Sequence, residues 1–383
     1  MPEPAIVRGS EHFFNVLYEG NGGGQRVGNF IPFTDNGTIS KSCIFNRGDS
    51  PKLSKTPGSN GNRKTFTISV WYKPADLGTD RTIIAADTSS SGTGYAMFKL
   101  NTNNKIFFYS GTGGGGDVIT TRTFEDTSKF YHFLIAVDTT QATASNRVKI
   151  YVDGDQITEF DSSSYPSQDG DLNFNSTSYP MAVGSFNSLT NICTGGYLAE
   201  VNFVDGTALT PSTFGLTDTS TGRWIPKSLT GITYGTNGFR MQFANSAGQT
   251  IGDDTSGNGN DYAVSNLAAA DITTDSPTQN FNTFGSFASG TSATEGGLTI
   301  STGTTNGDTQ CVGQPSFGVA TGKWYWEAKI TTVGTGLYGW KDDKNDGGSQ
   351  ATNGGGISSH ATNNMAAGLS TGSSGSFSSG SWF

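Results

Sequence analysis

The sequence predicts an all-β protein built as a two-sheet antiparallel sandwich of the jelly-roll type, and three observations carry this prediction. Glycine is abundant, at 54 of 383 residues, while charged residues make up only 14%. Aromatic residues reach 11%, which is more than disordered chains usually contain. Short alternating segments separated by turn residues recur along the chain, whereas helical periodicity does not extend over three turns. Many antiparallel strands at such spacing are typical of sandwiches.

The first strong strand signals alternate apolar and polar residues. KTFTISVWYKP, residues 64–74, alternates apolar side chains with Thr and Ser and stops at Pro74, because proline cannot donate to a sheet ladder. YAMFKL (95–100) and NKIFFYSG (104–111) follow, with Asn-rich turn residues between them. In KFYHFLIAVD every second residue is apolar, which predicts one core-facing row: Tyr131, Phe133, Ile135 and Val137.

The clearest hairpin is NRVKIYVDGDQITEF, residues 146–160. Asp153-Gly154 supplies the positive-φ turn, and Ile157 leads the return strand. The inward residues of its first strand are expected to be Val148, Ile150 and Val152. YPMAVGSF and GYLAEVNFVDG continue the series, and GFRMQFAN, beyond the loop around Trp224, is predicted to be the last strand. TALTPSTFG can form at most a short helical turn.

The length exceeds what one hydrophobic core usually serves, so we expect two domains. Residues 1–39 form a glycine-rich leader, either a loose terminus or a segment that attaches the chain to a virion. Residues 40–275 form the first sandwich. The polar stretch that begins near Asp254 contains the boundary, between Asp275 and Phe281. Residues 281–383 resume strand patterning, and the chain stops where a second, smaller sandwich would still need strands.

Charge and cysteine content exclude several classes of protein. The net charge of −9 would repel phosphate backbones, so nucleic-acid binding is disfavoured. Cys43, Cys193 and Cys311 are far apart and lack CxxC spacing, which indicates neither a zinc site nor a disulfide framework. The N-terminus lacks the pattern of a secretory signal, and no apolar run is long enough for membrane insertion. A cytosolic product with the composition of an adhesin suggests a virion protein, assembled inside the host and exposed after lysis.

Three motifs in the same order carry a family resemblance. FTISVWYKP, NRVKIYVDGDQI and GYLAEVNFVDGTALTPSTFG resemble the laminin-G-like branch of the concanavalin A-like lectin/glucanase superfamily, over roughly Lys41 to Tyr262. DTSGNGND, residues 254–261, also matches a phrase of such domains, although they usually carry it near their beginning. The resemblance implies a concanavalin A-like jelly roll.

The second domain carries a different resemblance. TGKWYWEAKI, in which Trp324 and Trp326 share one face, resembles the opening strand of a SPRY domain, and only the first part of such a domain is covered. The tandem of the two domains resembles fibre and structural proteins of marine tailed phages. It implies a virion component, and fibres of this kind are commonly trimers.

A catalytic function is disfavoured by the residues themselves. Glycosidases that retain configuration need two carboxylates about 5–5.5 Å apart, and the related glucanase motif resembles Glu-x-Asp-x-x-Glu. Here these positions read Glu200, Asn202 and Asp205. Residues 200 and 205 share a strand face only if a β-bulge intervenes. Of the histidines His12, His132 and His360, His132 is expected at a core edge or the surface, and motifs for other catalytic classes are absent. GTGGGGDV, residues 111–118, lacks the following helix and lysine of a phosphate-binding loop.

Two binding hypotheses remain. The acidic loop GDDTSGNGND is a calcium candidate with the alternative of an Asx-rich turn that satisfies its own backbone; its possible ligands are Asp253, Asp254, Asn258, Asn260 and Asp261. Asp169 and Asp171 form a weaker candidate of the same kind. Sugar recognition requires aromatic rings beside oxygen acceptors, and the candidates are Tyr109, Asp117, Tyr165, Asp169 and Tyr179.

We therefore expect a non-enzymatic virion adhesin that binds host-surface glycans through loops at one sandwich edge, in contact with other virion proteins. The alternatives are a purely structural capsid or tail decoration protein and a glycan depolymerase.

Overall fold

The computed structural model describes residues 37–281 except 89–93, 112–115, 187–192, 220 and 244–249, and beyond residue 281 only short strand segments. The chain divides into two compact units, Met1–Gly318 and Val319–Phe383. The described part of the first unit is an antiparallel sandwich of two eight-stranded sheets. The predicted all-β jelly-roll fold is confirmed.

The first sheet has the order β10-β9-β8-β3-β13-β1-β18, and β16 also pairs with β13. Its strands are β1 Ser42–Phe45, β3 Thr65–Pro74, β8 Tyr131–Asp138, β9 Val148–Val152, β10 Asp155–Gln156, β13 Gly196–Asp205, β16 Phe239–Met241 and β18 Ile272–Thr273.

The second sheet has the order β11-β7-β6-β5-β4-β12-β2-β17. Its strands are β2 Lys52–Lys55, β4 Arg81–Asp87, β5 Tyr95–Leu100, β6 Lys105–Tyr109, β7 Asp117–Thr123, β11 Phe160–Ser163, β12 Met181–Val183 and β17 Ala263–Ser265. Because the chain passes repeatedly from one sheet to the other, residues far apart in sequence become neighbours in each sheet.

The main core lies between the sheets and takes apolar side chains from both. The predicted inward rows are confirmed: Phe66, Ile68, Val70 and Tyr72 of β3, the row from Tyr131 to Val137 of β8, and the β9 row all belong to it. The turn of the β9–β10 hairpin has positive φ at Asp153 and Gly154, 50° and 90°, as the sequence predicted.

A further layer covers the outer face of the first sheet. Two apolar clusters lie there, one around Trp71 and Tyr197 and one around Leu134, Phe214 and Tyr234. The chain after β13 supplies much of this layer, with a short 3-10 helix Pro211–Thr213 and the strand pair β14 Gly215–Thr217 and β15 Trp224–Pro226. Three other short 3-10 helices are Arg47–Asp49, Ala144–Asn146 and Ala269–Asp271.

The prediction that GFRMQFAN is the last strand of the sandwich is wrong, since β17 and β18 follow it and join opposite sheets. The remaining strands are short pairs: β19 Thr291–Thr294 with β20 Thr299–Thr302 in the first unit, and β21 Tyr338–Gly339 with β22 Gly356–Ile357 and β23 Asn364–Ala366 with β24 Ser374–Ser376 in the second. The leader up to residue 36, the SPRY-like TGKWYWEAKI, Cys311, His12 and His360 lie outside the described residues, so the domain boundaries stay predictions.

Candidate functional site

The outer face of the second sheet carries a patch of aromatic side chains. The pairing registers place Asp117, Tyr109, Met97 and Ala85 in one row across β7, β6, β5 and β4. Directly paired residues project from the same face of a sheet, and the residues that alternate with them in these strands enter the main core. Tyr95 and Phe107 project from this outer face as well. We call the following set the tyrosine face: Tyr95, Met97, Phe107, Tyr109, Asp117 and Phe186.

The rings of the tyrosine face are held by packing beneath them. Met97 and Phe186 are buried at 5% and 3% exposure, and the half-buried rings of Tyr95, Phe107 and Tyr109 pack against them. The ring centroids of Tyr95 and Tyr109 lie 4.8 Å apart with an interplanar angle of 41°. Tyr95 also meets Phe186 edge-on at 5.8 Å. Because all come from strands or a strand-flanking position, this aromatic surface is preorganised.

One carboxylate, that of Asp117, lies beside the rings. Among the described residues, none donates a hydrogen bond to the Asp117 carboxylate, and burial raises its pKa while Lys99 opposes that rise. The Lys99 ammonium is already paired with Asp80 at 2.9 Å and lies 5.0 Å from the centroid of the Phe107 ring. Burial, followed by the charges of Tyr109 and Asp117, raises the pKa of Tyr95. The face therefore combines rings with a hydrogen-bond acceptor of negative charge.

The structure brings together only some of the residues predicted for sugar recognition. Tyr109 and Asp117 are direct partners across β6 and β7. Tyr165 and Tyr179 instead pack against the main core. Asp169 lies in a turn with φ 57°, and its own backbone N–H donates to Thr139 O at 2.8 Å. Sequence reasoning missed Tyr95 and Phe107, although the alternation in YAMFKL and KIFFY was a signal that they leave the core.

The acidic loop GDDTSGNGND uses its oxygens within the protein. The Asp254 carboxylate accepts hydrogen bonds from Arg240 N, Ser256 N, Ser256 Oγ and Asn260 N, at 2.8–2.9 Å. Asp253 accepts from Thr250 N and Oγ1, and Asp261 from Asp254 N.

The two amides of this loop, Asn258 and Asn260, donate to backbone carbonyls of residues 235–238. These contacts are those of the Asx-rich turn, and they dock the loop on its neighbour. Within the described residues, no group of three or more His, Cys, Asp or Glu side chains is placed to hold a metal ion. Calcium binding stays a prediction.

The strand β13 contains the bulge that would be needed to align its carboxylates, between Ala199 and Asn202. Glu200, at φ 48°, nevertheless pairs with Arg240, which alternates with core residues of β16 and so faces the outer layer. Asp205 accepts hydrogen bonds from Asn62 N at 2.8 Å and Asn175 Nδ2 at 2.7 Å.

Two neighbouring phenylalanines, Phe203 and Phe66, show which side of the sheet the Asp205 side chain faces. Asp205 lies two residues beyond Phe203 and opposite Phe66, both in the main core. It therefore projects to the inner side of the sheet, whereas Glu200 projects to the outer side. These two carboxylates are bound separately and do not form the pair that glycoside hydrolysis requires.

His132 is buried at 1% exposure, deeper than the core edge or surface that the sequence predicted. Its Nε2 lies 2.9 Å from Ser69 Oγ, and its Nδ1 accepts a hydrogen bond from Trp224 Nε1 at 3.1 Å. The ring packs between aromatic side chains, with Trp71 at 4.8 Å and Trp224 at 5.9 Å between centroids. Burial lowers the pKa of His132 to about 3.

Comparisons with known proteins bear on this fold. Residues 48–213 match a family model described as the concanavalin A-like lectin/glucanases superfamily. No curated protein matches the sequence. Among the described residues, no helix has the length and apolar character needed to cross a bilayer.

Several solved structures resemble the chain. A SAP-like pentraxin from Limulus polyphemus is 13% identical with a TM-score of 0.34, over 45% of this chain and 79% of that one. Domain 4 of AbnA, an extracellular arabinanase from Geobacillus stearothermophilus in complex with arabinotriose, is 20% identical with a TM-score of 0.28, over 39% and 65%. The mouse laminin α1 domains LG4-5 are 12% identical with a TM-score of 0.30, over 53% and 49%. The chain thus spans less than two thirds of the arabinanase domain and about half of the laminin pair.

The matched residues 48–213 run through β2 to β13 and include strands of both sheets. The resemblance to this superfamily therefore covers strands of both sheets but less than half of the chain.

Proposed function

We propose that this chain is a non-enzymatic virion surface protein that binds host-surface glycans, and that the tyrosine face is its carbohydrate-binding site. The observation that carries the site is the Tyr95–Tyr109 ring pair beside the Asp117 carboxylate. Sugar C–H groups pack on aromatic rings, and sugar hydroxyls donate to carboxylates.

The tyrosine face lies at one end of the second sheet, which fits the expectation that loops at one sandwich edge take part in recognition. Tyr95 begins β5, Tyr109 ends β6 and Asp117 begins β7, so each lies next to a connection at the same end of the sheet. The match of residues 48–213 to a family model whose description names lectins supports sugar binding as a class of function. The separate binding of Glu200 and Asp205 supports the non-enzymatic part.

The virion part of the proposal depends on the resemblance of the domain tandem to phage fibre proteins. A single shallow face would bind weakly, and several copies in an oligomer, such as a trimer, would raise the overall affinity through effective concentration. Other virion proteins would be the partners that hold those copies together.

Glycan-array binding of the full chain, with and without calcium, tests the proposal. We expect Tyr109→Ala to weaken binding about tenfold or more, since losing ~1.4 kcal/mol of ring contact corresponds to that factor. Tyr109→Phe should retain most of the affinity, because the ring face is kept. Tyr151→Ala is the matched control, because Tyr151 packs in the outer layer of the first sheet.

Two outcomes would contradict this function. A folded oligomer that binds no glycan in either condition would instead indicate a structural capsid or tail component. Release of reducing ends from host polysaccharide, abolished in Glu200→Gln, would indicate a depolymerase.

A further inference from the structure

The amine of Lys73 is buried and surrounded by hydrogen-bond acceptors and aromatic rings. Lys73 lies in β3, is 0% exposed, and has its Nζ 5.7 Å and 5.6 Å from the ring centroids of Phe130 and Tyr197. Nζ donates to Asp275 Oδ2 at 3.0 Å, Asn280 Oδ1 at 2.9 Å and Phe281 O at 2.7 Å. A buried amine of this kind is held by three acceptors, all from the segment that follows β18.

Two hydrogen bonds fix which end of the Asn280 amide faces Lys73. Its Nδ2 donates to Ser128 O at 2.5 Å while its Oδ1 accepts from Lys73. An ammonium can only donate and a backbone carbonyl can only accept, so the oxygen and nitrogen of this amide are placed unambiguously. The carbonyl oxygen therefore faces Lys73 Nζ, one bond from the carbon that the amine would attack, and the nitrogen, the leaving group, faces Ser128 O.

Asp275 is placed to carry the proton. It is 0% exposed, and its Oδ1 accepts from Phe281 N at 2.7 Å while Oδ2 accepts from Lys73. Burial raises the pKa of Asp275 and lowers the pKa of Lys73, and the attraction between the two opposes both changes. Both burial effects favour transfer of a proton from Nζ to the carboxylate, because desolvation penalises each charged form. The free amine that results is a nucleophile.

We propose that Lys73 and Asn280 form an intramolecular amide cross-link, with Asp275 as the proton carrier. Lys73 Nζ, after giving one proton to Asp275, bonds to the side-chain carbonyl carbon of Asn280. The bond from that carbon to Nδ2 breaks, the nitrogen takes up the second proton that Nζ gives up, and ammonia leaves. The first proton, held by Asp275, departs with the ammonia as ammonium and restores the carboxylate. One amine and one primary amide thus become one secondary amide and ammonia, with no change of oxidation state and no external reactant.

The cross-link would join β3, in the middle of the first sheet, to the segment of residues 275–281. Other contacts already hold the same segment: Ser42 Oγ donates to Asp275 O at 2.6 Å, and Ile39 N donates to Thr278 Oγ1 at 3.0 Å. Holding the reacting groups in a fixed arrangement makes an otherwise slow amide exchange effectively unimolecular. The product would fix this segment covalently to the first sheet, which would suit the proposed virion role, in which the chain bears tension between a particle and a host surface.

Mass spectrometry of the purified full chain tests this proposal. We expect an intact mass lower than the sequence mass by one ammonia, and a chymotryptic digest with a branched peptide that joins Lys73 to Asn280. Lys73→Arg and Asp275→Ala should each restore the full mass. Asn280→Ala should also restore it. Asn280 is exposed, and Asp275 and Phe281 O still accept from Lys73 in this variant, so it should remain folded.

Lys129→Arg is the matched control, because the Lys129 amine pairs with Asp153 at 3.2 Å outside this cluster; it should keep the ammonia loss. A folded wild-type chain that retains the full sequence mass after prolonged incubation at neutral and mildly alkaline pH would overturn the proposal. Ammonia loss without a branched peptide would do so as well, because it would indicate a cyclic imide at Asn280. Loss of one water with a Lys73–Asp275 branch would assign the link to another residue and would equally contradict it.

Discussion

His132 shows how its surroundings decide the chemistry of one side chain. The indole N–H of Trp224 can only donate, so His132 Nδ1 must accept and the ring proton lies on Nε2. That proton points at Ser69 Oγ, 2.9 Å away. A ring in this state donates to the serine and cannot take its proton. The Ser69–His132 contact is therefore structural, although its distance alone would suit a nucleophile and base.

The same ring predicts an acid dependence of stability. The pKa of His132 is about 3 in the folded protein, whereas an unfolded histidine has a pKa of about 6.5. Between these values the unfolded chain binds the extra proton. The contribution of His132 to stability is therefore complete above about pH 6.5 and declines by ~1.4 kcal/mol per pH unit as the pH falls toward 3.

Urea unfolding between pH 4 and pH 6 measures this effect. We expect His132→Gln to be less stable than the wild type at neutral pH. Its unfolding should bind about one proton fewer in this pH range, so its free energy of unfolding should change less steeply with pH. Phe214→Leu alters a ring neighbour of His132 but keeps the titrating imidazole. It should therefore lower the free energy of unfolding by a similar amount at every pH. An unchanged slope in His132→Gln would show that other groups control acid unfolding.

Among the elements, β13 shows how far strand alternation can predict the direction of a side chain. Alternation placed residues 200 and 205 on opposite faces unless a bulge intervened, and the structure has that bulge. The bulge residue Glu200 has φ 48°, in the left-handed backbone region, where residues other than Gly and Asn are uncommon. Its pairing with Arg240 on the neighbouring strand accounts for its direction. Such a pairing joins residues 40 apart and leaves no local signal.

The Glu200–Arg240 pair yields a prediction for this element. Both side chains are largely buried, at 8% and 20% exposure, and burial raises the pKa of Glu200 while Arg240 opposes the rise. Arg240→Met leaves the carboxylate buried without its partner, so we expect a loss of about 3 kcal/mol in the free energy of unfolding. Denaturant titration of the full chain measures it.

Arg122→Met is the matched control, since Arg122 is exposed and lies over the Phe124 ring; it should cost less than about 1 kcal/mol. The double variant Glu200→Gln/Arg240→Met should recover part of the loss, because no charge is then left unpaired. Equal losses for the two arginine variants would refute the role assigned to the pair.

Strongly periodic strands were predictable, because one buried face and one polar face leave a period of two in the sequence. β3, β8 and β9 are of this kind. β4, RTIIAAD, is buried along its whole length and shows no alternation, so it was missed. β17 and β18 contain three and two residues, and partners far away in sequence create them.

The tyrosine face was predictable only in part, for a related reason. Tyr109 and Asp117 lie on consecutive strands and could be named together. Phe107 lies two residues before Tyr109 on the same strand, so alternation alone could have added it. Tyr95 becomes part of the face through the pairing of β5 with β6. The acidic loop GDDTSGNGND and the β13 motif were ambiguous in sequence. A carboxylate can serve as a metal ligand, as a catalytic acid or as an acceptor for backbone N–H groups, and the folded surroundings decide which.

At the scale of the whole molecule, the sandwich is completed by its last described segment. β17 pairs with β2 and β18 with β1, so residues 263–273 cover an edge of each sheet. Residues 275–281 then supply the acceptors of the buried Lys73 amine. Residues 275–281 have the low hydrophobicity of a linker, but polar contacts to the buried Lys73 amine hold them against β3.

Truncation distinguishes a linker from a structural segment. A fragment of residues 1–281 should unfold cooperatively, with a denaturation midpoint close to that of the sandwich in the full chain. A fragment of residues 1–262 loses β17, β18 and every acceptor of Lys73 Nζ. An unpaired buried charge costs about 3–5 kcal/mol, and domains are stable by only about 5–15 kcal/mol. We therefore expect the shorter fragment to lose the sharp transition in tryptophan fluorescence and the dispersed amide spectrum of a folded sandwich. A cooperative transition at the same midpoint in both fragments would mean that the segment after residue 262 contributes nothing to the fold.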